Sequence, residues 1–175
     1  MRNWILRKAF WIVAGAAALL PLQASAQAPS WPTKPIHIIV PFAAGSFTDV
    51  AARTVGAELT AQTGQQVLVD NRGGAGSTVG TDAVAKSAPD GYTFLVTDNS
   101  FVISSALYTK LPYKPSTDLM PITLLADSPA VLVARPGLSA KTLKEAVALA
   151  RRQPGKLTFG SGGLGSSAHL AMEAF

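Results

Sequence analysis

The sequence predicts an α/β fold with a parallel sheet, and three observations carry that prediction. Short apolar runs of strand length alternate with segments of helical periodicity. Three junctions between them, at residues 41–48, 71–78 and 160–167, are loops of small residues rich in glycine. Two helix starts carry a capping box, Ser46 with Asp49 and Thr142 with Glu145.

Taken in order, residues 1–26 read as a cleaved secretory signal. Arg2, Arg7 and Lys8 precede an apolar run over 9–22, and Ala24-Ser25-Ala26 supplies a small-x-small site before Gln27. A proline-rich leader (Pro29, Pro32, Pro35) opens on a first strand over 36–40, apolar except for His37, as expected of a strand covered on both faces. The next helix, 47–63, places Phe47, Val50, Ala51, Val55 and Leu59 on one apolar stripe and stops at Gly64. A strand over 67–69, a helix over about 78–87 and a strand over 92–96 follow, with Pro89-Asp90-Gly91 as the turn between the last two. Thr97-Asp98-Asn99-Ser100 reads as a polar loop, and the prolines of Leu111-Pro112-Tyr113-Lys114-Pro115 exclude a regular element. Short strands are expected over 122–125, 131–133 and 157–159, with a helix from Thr142 to about Gln153 and another over 168–175. Ending on a strand, a glycine loop and a helix start is expected of a piece of a longer protein.

Composition removes several functions. The chain of 175 residues has 15 Lys+Arg and 10 Asp+Glu, but the signal holds three of the basic ones, leaving a net charge of +2. No long basic cluster remains, so no nucleic-acid partner is expected. There is no cysteine, and neither of the two histidines stands at metal-ligand spacing, so no metal is expected. Gly74-Ala75-Gly76-Ser77-Thr78-Val79-Gly80 misses the dinucleotide spacing by one residue, so no cofactor is expected. No G-x-S-x-G elbow surrounds Ser46, Ser161 or Ser166, and no catalytic residue is assigned.

What remains is the logic common to the three loops. A strand that passes through glycines into a helix N-terminus leaves unpaired amides at the sheet's carboxyl edge, where open α/β sheets take their ligands. A carboxylate suits such a place. Ordinary capped βα turns look the same locally. Asp49 is already explained by the capping box, and Arg72 is the one cation within a candidate loop.

Several motifs together resemble one family. Ile39-Val40-Pro41-Phe42-Ala43-Ala44-Gly45 with Thr48-Asp49, Asp70-Asn71-Arg72-Gly73-Gly74-Ala75-Gly76, Ala88-Pro89-Asp90-Gly91-Tyr92-Thr93, Ala106-Leu107-Tyr108, Leu111-Pro112-Tyr113, Pro154-Gly155-Lys156-Leu157 and Gly163–Leu170 occur in the order found in Bug receptors. These are the periplasmic solute-binding components of tripartite tricarboxylate transporters, and the resemblance covers roughly the first half of one. It implies a type II periplasmic binding fold with an incomplete second lobe: a first lobe over 27–120, then a hinge crossing and the start of the second over 121–175. It implies a monomeric, non-enzymatic receptor that hands a small carboxylate to the transporter's membrane subunits. Ligand contacts carried over by the resemblance are Phe42, Ala43, Ala44, Gly45, Ser46 and Asp49 on the first loop. On the last loop they are Ser161, Gly163, Gly165, Ser166 and Ser167, with Thr97 and Ser100 lining the cleft between. The chain departs from the family at Ser46, usually glycine, and Gly73, usually proline, and Asp98 sets a negative charge beside a cleft meant for anions. Readings from other classes are a sensory adaptor for a two-component system, an exported enzyme acting through Asp49 or His169, and a non-functional fragment.

Overall fold

In the computed structural model, which describes residues 31–174, strand β1 (Ile36–Val40) lies between β2 (Val67–Asn71) and β3 (Thr93–Leu95) and pairs with both in parallel. The expected signal over 1–26 lies outside the described residues. Ile36, Ile38, Ile39 and Val40 are buried while His37 is exposed, so β1 is the apolar centre that its composition predicts. Each such side chain withdrawn from water contributes about 1.5–3 kcal/mol.

Helix α1 (Phe47–Thr63) has the predicted bounds and ends on Gly64 in the left-handed conformation (φ 71°), whose amide returns to the Thr60 carbonyl. Its buried face differs from the expected stripe. Thr48, Asp49, Ala52 and Gly56 face inward, whereas Phe47 and Val50 are more than half exposed. The cause is close approach: a Cβ on Gly56 would stand 3.1 Å from Cγ1 of Val67, so small residues form the seam. The larger side chains fall to its flanks. Ala52 joins Ile38 and Val40 in the core, with Phe42, Val67, Val69, Phe94 and Val96 packed around them.

Helix α2 (Thr78–Ala85) packs on β1 and β3. Helix α3 (Ser100–Leu107) begins inside the tetrapeptide expected to be a polar loop. It was hidden because Ser100, Ser104 and Ser105 interrupt any apolar periodicity. Two of those serines face inward: Ser100 and Ser104 have no exposed surface, and Ser104 donates to the Gly76 carbonyl. The double-proline segment then folds back, stacking Tyr113 on Phe101 at 6.4 Å between centroids.

Beyond this point the strand expectations fail. No strand forms over 122–125, 131–133 or 157–159, and Ile122, Leu124, Val131 and Val133 stand mostly in solvent. A strand needs a neighbour to take its amides and carbonyls, and no described segment pairs with these. The predicted helix does form as α4 (Leu143–Arg152), capped by Thr142 Oγ1 on the Glu145 amide at 3.2 Å. A last short helix, α5, runs over Ser167–Glu173.

The tightest joint is Gly80 of α2, where an added Cβ would fall 2.8 Å from the Arg72 carbonyl oxygen and 2.9 Å from Cα of Pro41. Gly80→Ala is expected to lower the thermal midpoint by about 4 °C or more despite the better helix propensity of alanine, through a clash of about 1–3 kcal/mol. Gly160→Ala, which meets nothing within 4 Å, is the neutral control in the same melting experiment.

Candidate functional site

Because the three strands are parallel, the loops that follow β1, β2 and β3 all leave the same sheet edge. The third glycine loop, over 160–167, follows no strand and meets that edge through its contacts with Gly76. The first and second loops touch: a Cβ on Gly73 would lie 3.7 Å from the Phe42 carbonyl carbon and 3.9 Å from the Ala43 nitrogen. The second and third touch as well, since a Cβ on Gly76 would lie 3.0 Å from the Leu164 carbonyl oxygen. Gly165 sits against Leu107 and Gly76, closing the third loop over the end of α3. The second loop thus bridges the other two.

The first loop is built around an acid. Ser46, the N-cap of α1, accepts the Asp49 amide at 3.3 Å. The return bond of the box reaches one residue further than expected: Asp49 Oδ2 accepts the amide of Gly45, at 2.8 Å, and the Ser46 amide turns to the Ala43 carbonyl. The second box does the same, with Glu145 accepting the amide of Lys141 at 2.6 Å. Asp49 is 3 % exposed, and its carboxylate also receives Nε of Arg53 at 3.1 Å and Nδ2 of Asn71 at 3.0 Å. The Arg53 hydrogen bond, then the Gly45 amide and Asn71, hold its pKa down to about 2. Both oxygens of the carboxylate are thereby engaged internally. The sequence reading gave Asn71 a place in the second loop but no role of its own, and it passed over Arg53, although Arg53 stands at i+4 from Asp49, the spacing of a helical ion pair.

That accounting leaves a defined set of open donors. The amides of Ala43 and Ala44 have no acceptor among the described residues, and both residues are exposed. Elsewhere in the lobe, Oγ of Ser77, Ser100 and Ser167 and Oγ1 of Thr97 are buried without a partner. Ser77 holds a left-handed conformation (φ 79°) at the start of α2 without capping it. On the third loop Ser166 caps α5 through the His169 amide at 3.2 Å, Ser161 accepts the Gly163 amide at 3.3 Å, and Ser161 and Gly163 are exposed. Asp98 bends onto the Ser100 amide at 2.8 Å, which places its charge at the start of α3. Arg72 pairs with Asp70 at 2.8 Å, both half exposed, a contact worth at most about 1 kcal/mol.

Two recesses lie away from this edge. One of about 250 Å³ lies between α1 and β2, lined by Gly56, Thr60 and Val67 among others. The other, of about 370 Å³, opens at the opposite end of the strands beside Lys34, His37 and Tyr92. Both lack the unpaired donors of the loops, and we place no site in either.

With this geometry the relationship to known proteins is plain. The profile described as "Tripartite tricarboxylate transporter family receptor" matches residues 51–175. The chain belongs to that family. It is 42% identical over 156 residues to Protein BugT of Bordetella pertussis, covering 88% of this chain and 48% of the relative. Two solved structures superpose closely. Periplasmic binding protein BugD does so with a TM-score of 0.77 at 35% identity, over 82% of this chain and 48% of that one. R. palustris Rpa4515 with adipate gives 0.78 at 34% identity, over the same shares. The fold is therefore of the type II periplasmic binding kind, with the second lobe incomplete. The chain spans about half the length of the relatives it matches. Receptors of this family bind solutes and are not enzymes.

The depressed Asp49 pKa fixes a pH window. Its folded value of about 2 lies below the ordinary 3.8, so its stabilising effect is complete above pH 3.8 and is lost as the pH falls toward 2. Melting curves from about pH 5 downward should show the native chain losing stability faster than Asp49→Asn, which should start lower and change less. Parallel curves would show that the carboxylate is not held as described.

Proposed function

We propose that the chain is a periplasmic receptor for small dicarboxylates that passes its ligand to the membrane subunits of a tripartite transporter. The observation that carries the reading is the pair of unengaged amides at Ala43 and Ala44, beside the N-terminus of α1, on a loop where the Gly45 and Ser46 amides are already spent. A carboxylate takes two such donors at once, and the helix dipole adds to the attraction. The adipate-bound relative supports a dicarboxylate. In this reading Phe42, Ala43, Ala44, Gly45 and Ser46 form the first wall of the site. Ser161, Gly163, Gly165, Ser166 and Ser167 form the facing one. Asp49 shapes the loop from behind and does not touch the ligand.

Titration calorimetry of the full chain with four- to six-carbon dicarboxylates, single amino acids and monocarboxylates tests the proposal. Saturable heat with a dicarboxylate, and at least about tenfold weaker binding of the matching monocarboxylate, is the expected result. An absence of heat from every acid would remove the reading.

A further inference from the structure

Asn71 closes β2 in register with Val40 and spends its whole side chain on the first loop and the opening turns of α1. Its Nδ2 donates to the Phe42 carbonyl at 3.1 Å and to Asp49 Oδ1 at 3.0 Å, while its Oδ1 accepts Nη2 of Arg53 at 3.0 Å. The amide has one workable orientation. Turned over, its oxygen would face the Phe42 carbonyl and the Asp49 carboxylate, both acceptors, and its nitrogen would face a guanidinium.

We infer that Asn71 is a positioning residue: by gripping the Phe42 carbonyl from behind, it aims the Ala43 amide out of the sheet edge toward the ligand. The step rests on peptide geometry. The unit from Phe42 to Ala43 is planar and trans, so its C=O and N–H point in opposite directions. Fixing the carbonyl inward fixes the N–H outward, where Ala43 is exposed and its amide is without an acceptor among the described residues. Without that grip, rotation of the plane about its flanking bonds brings the carbonyl oxygen outward, exchanging a donor for an acceptor where a carboxylate would sit. Pro41, locked at its φ and packed against Gly80, limits how the preceding backbone can compensate. Asn71 also steadies Asp49, and through it the Gly45 amide. The binding part of this inference rests on the receptor reading above; the positioning part does not.

The test uses the full chain and two variants, Asn71→Asp, which is isosteric but has no Nδ2 donors, and Asn71→Ala. Hydrogen exchange by NMR reads the loop, with the β1 amides as an internal measure of folding. The expected result is Gly45 exchanging at least about tenfold faster while β1 is unchanged, and adipate binding about tenfold weaker at a temperature far below the melting midpoint. Gly45 exchange and adipate affinity both within about twofold of the native chain would overturn the inference. If one variant loses β1 protection, the other decides. If the native chain binds no adipate, the receptor reading fails and Gly45 exchange alone decides on positioning.

Discussion

The loop at the carboxyl edge of the sheet depends on one buried carboxylate. Asp49 sits inside the first turn of α1, where the helix dipole already favours a negative charge. A charge withdrawn from water needs its lone pairs satisfied, and here they are: Gly45 from its own loop, Arg53 from the next turn, Asn71 from the neighbouring strand. Those partners come from three stretches of chain, so the acid determines how the loop between β1 and α1 is folded. The Gly45 amide it takes is closed to a ligand, and the amides of Ala43 and Ala44 are left without an acceptor among the described residues. A single carboxylate thus both closes the loop and selects its open donors.

Much of this was legible in the residues. The three parallel strands, α1 with both its caps, and α4 follow from apolar runs punctuated by Gly64, Pro89-Asp90-Gly91 and Pro154-Gly155, because strands and helices of ordinary length need only local signals. The motifs that pointed to the family did so correctly. What was not legible depended on distance. The stripe of α1 was misread because Gly56 and Ala52 form the seam through their smallness, a property invisible to a count of apolar residues. Helix α3 was missed because its inward face is serine, and a buried serine reads as a loop until its partner, the Gly76 carbonyl, is known. The strands over 122–125 and 131–133 were expected from composition alone, and composition does not supply the neighbour that a strand requires. At the site, Ser46 and Asp49 were visible as a box. The return bond to Gly45 in place of Ser46, and the roles of Arg53 and Asn71, needed coordinates.

The second loop has a further property worth weighing. Ser77 keeps a left-handed backbone that costs a residue with a side chain about 1 kcal/mol, and its hydroxyl is buried without a partner. Strain and an unsatisfied donor at one residue are the marks of a position shaped by more than folding. It lies beside Gly76, the residue on which the third loop rests. The bridge between the two walls of the proposed site thus carries two left-handed residues other than glycine, Ala75 and Ser77.

The central claim is that the open amides of the first loop hold a carboxylate. A titration followed residue by residue in 1H–15N NMR spectra, with adipate added to the full chain, tests it most directly. The account predicts that the largest changes fall on the Ala43 and Ala44 amides, with Gly45 and the loop at 160–167 following. Changes confined to the recess around Lys34, His37 and Tyr92, or to none of these residues, would contradict it.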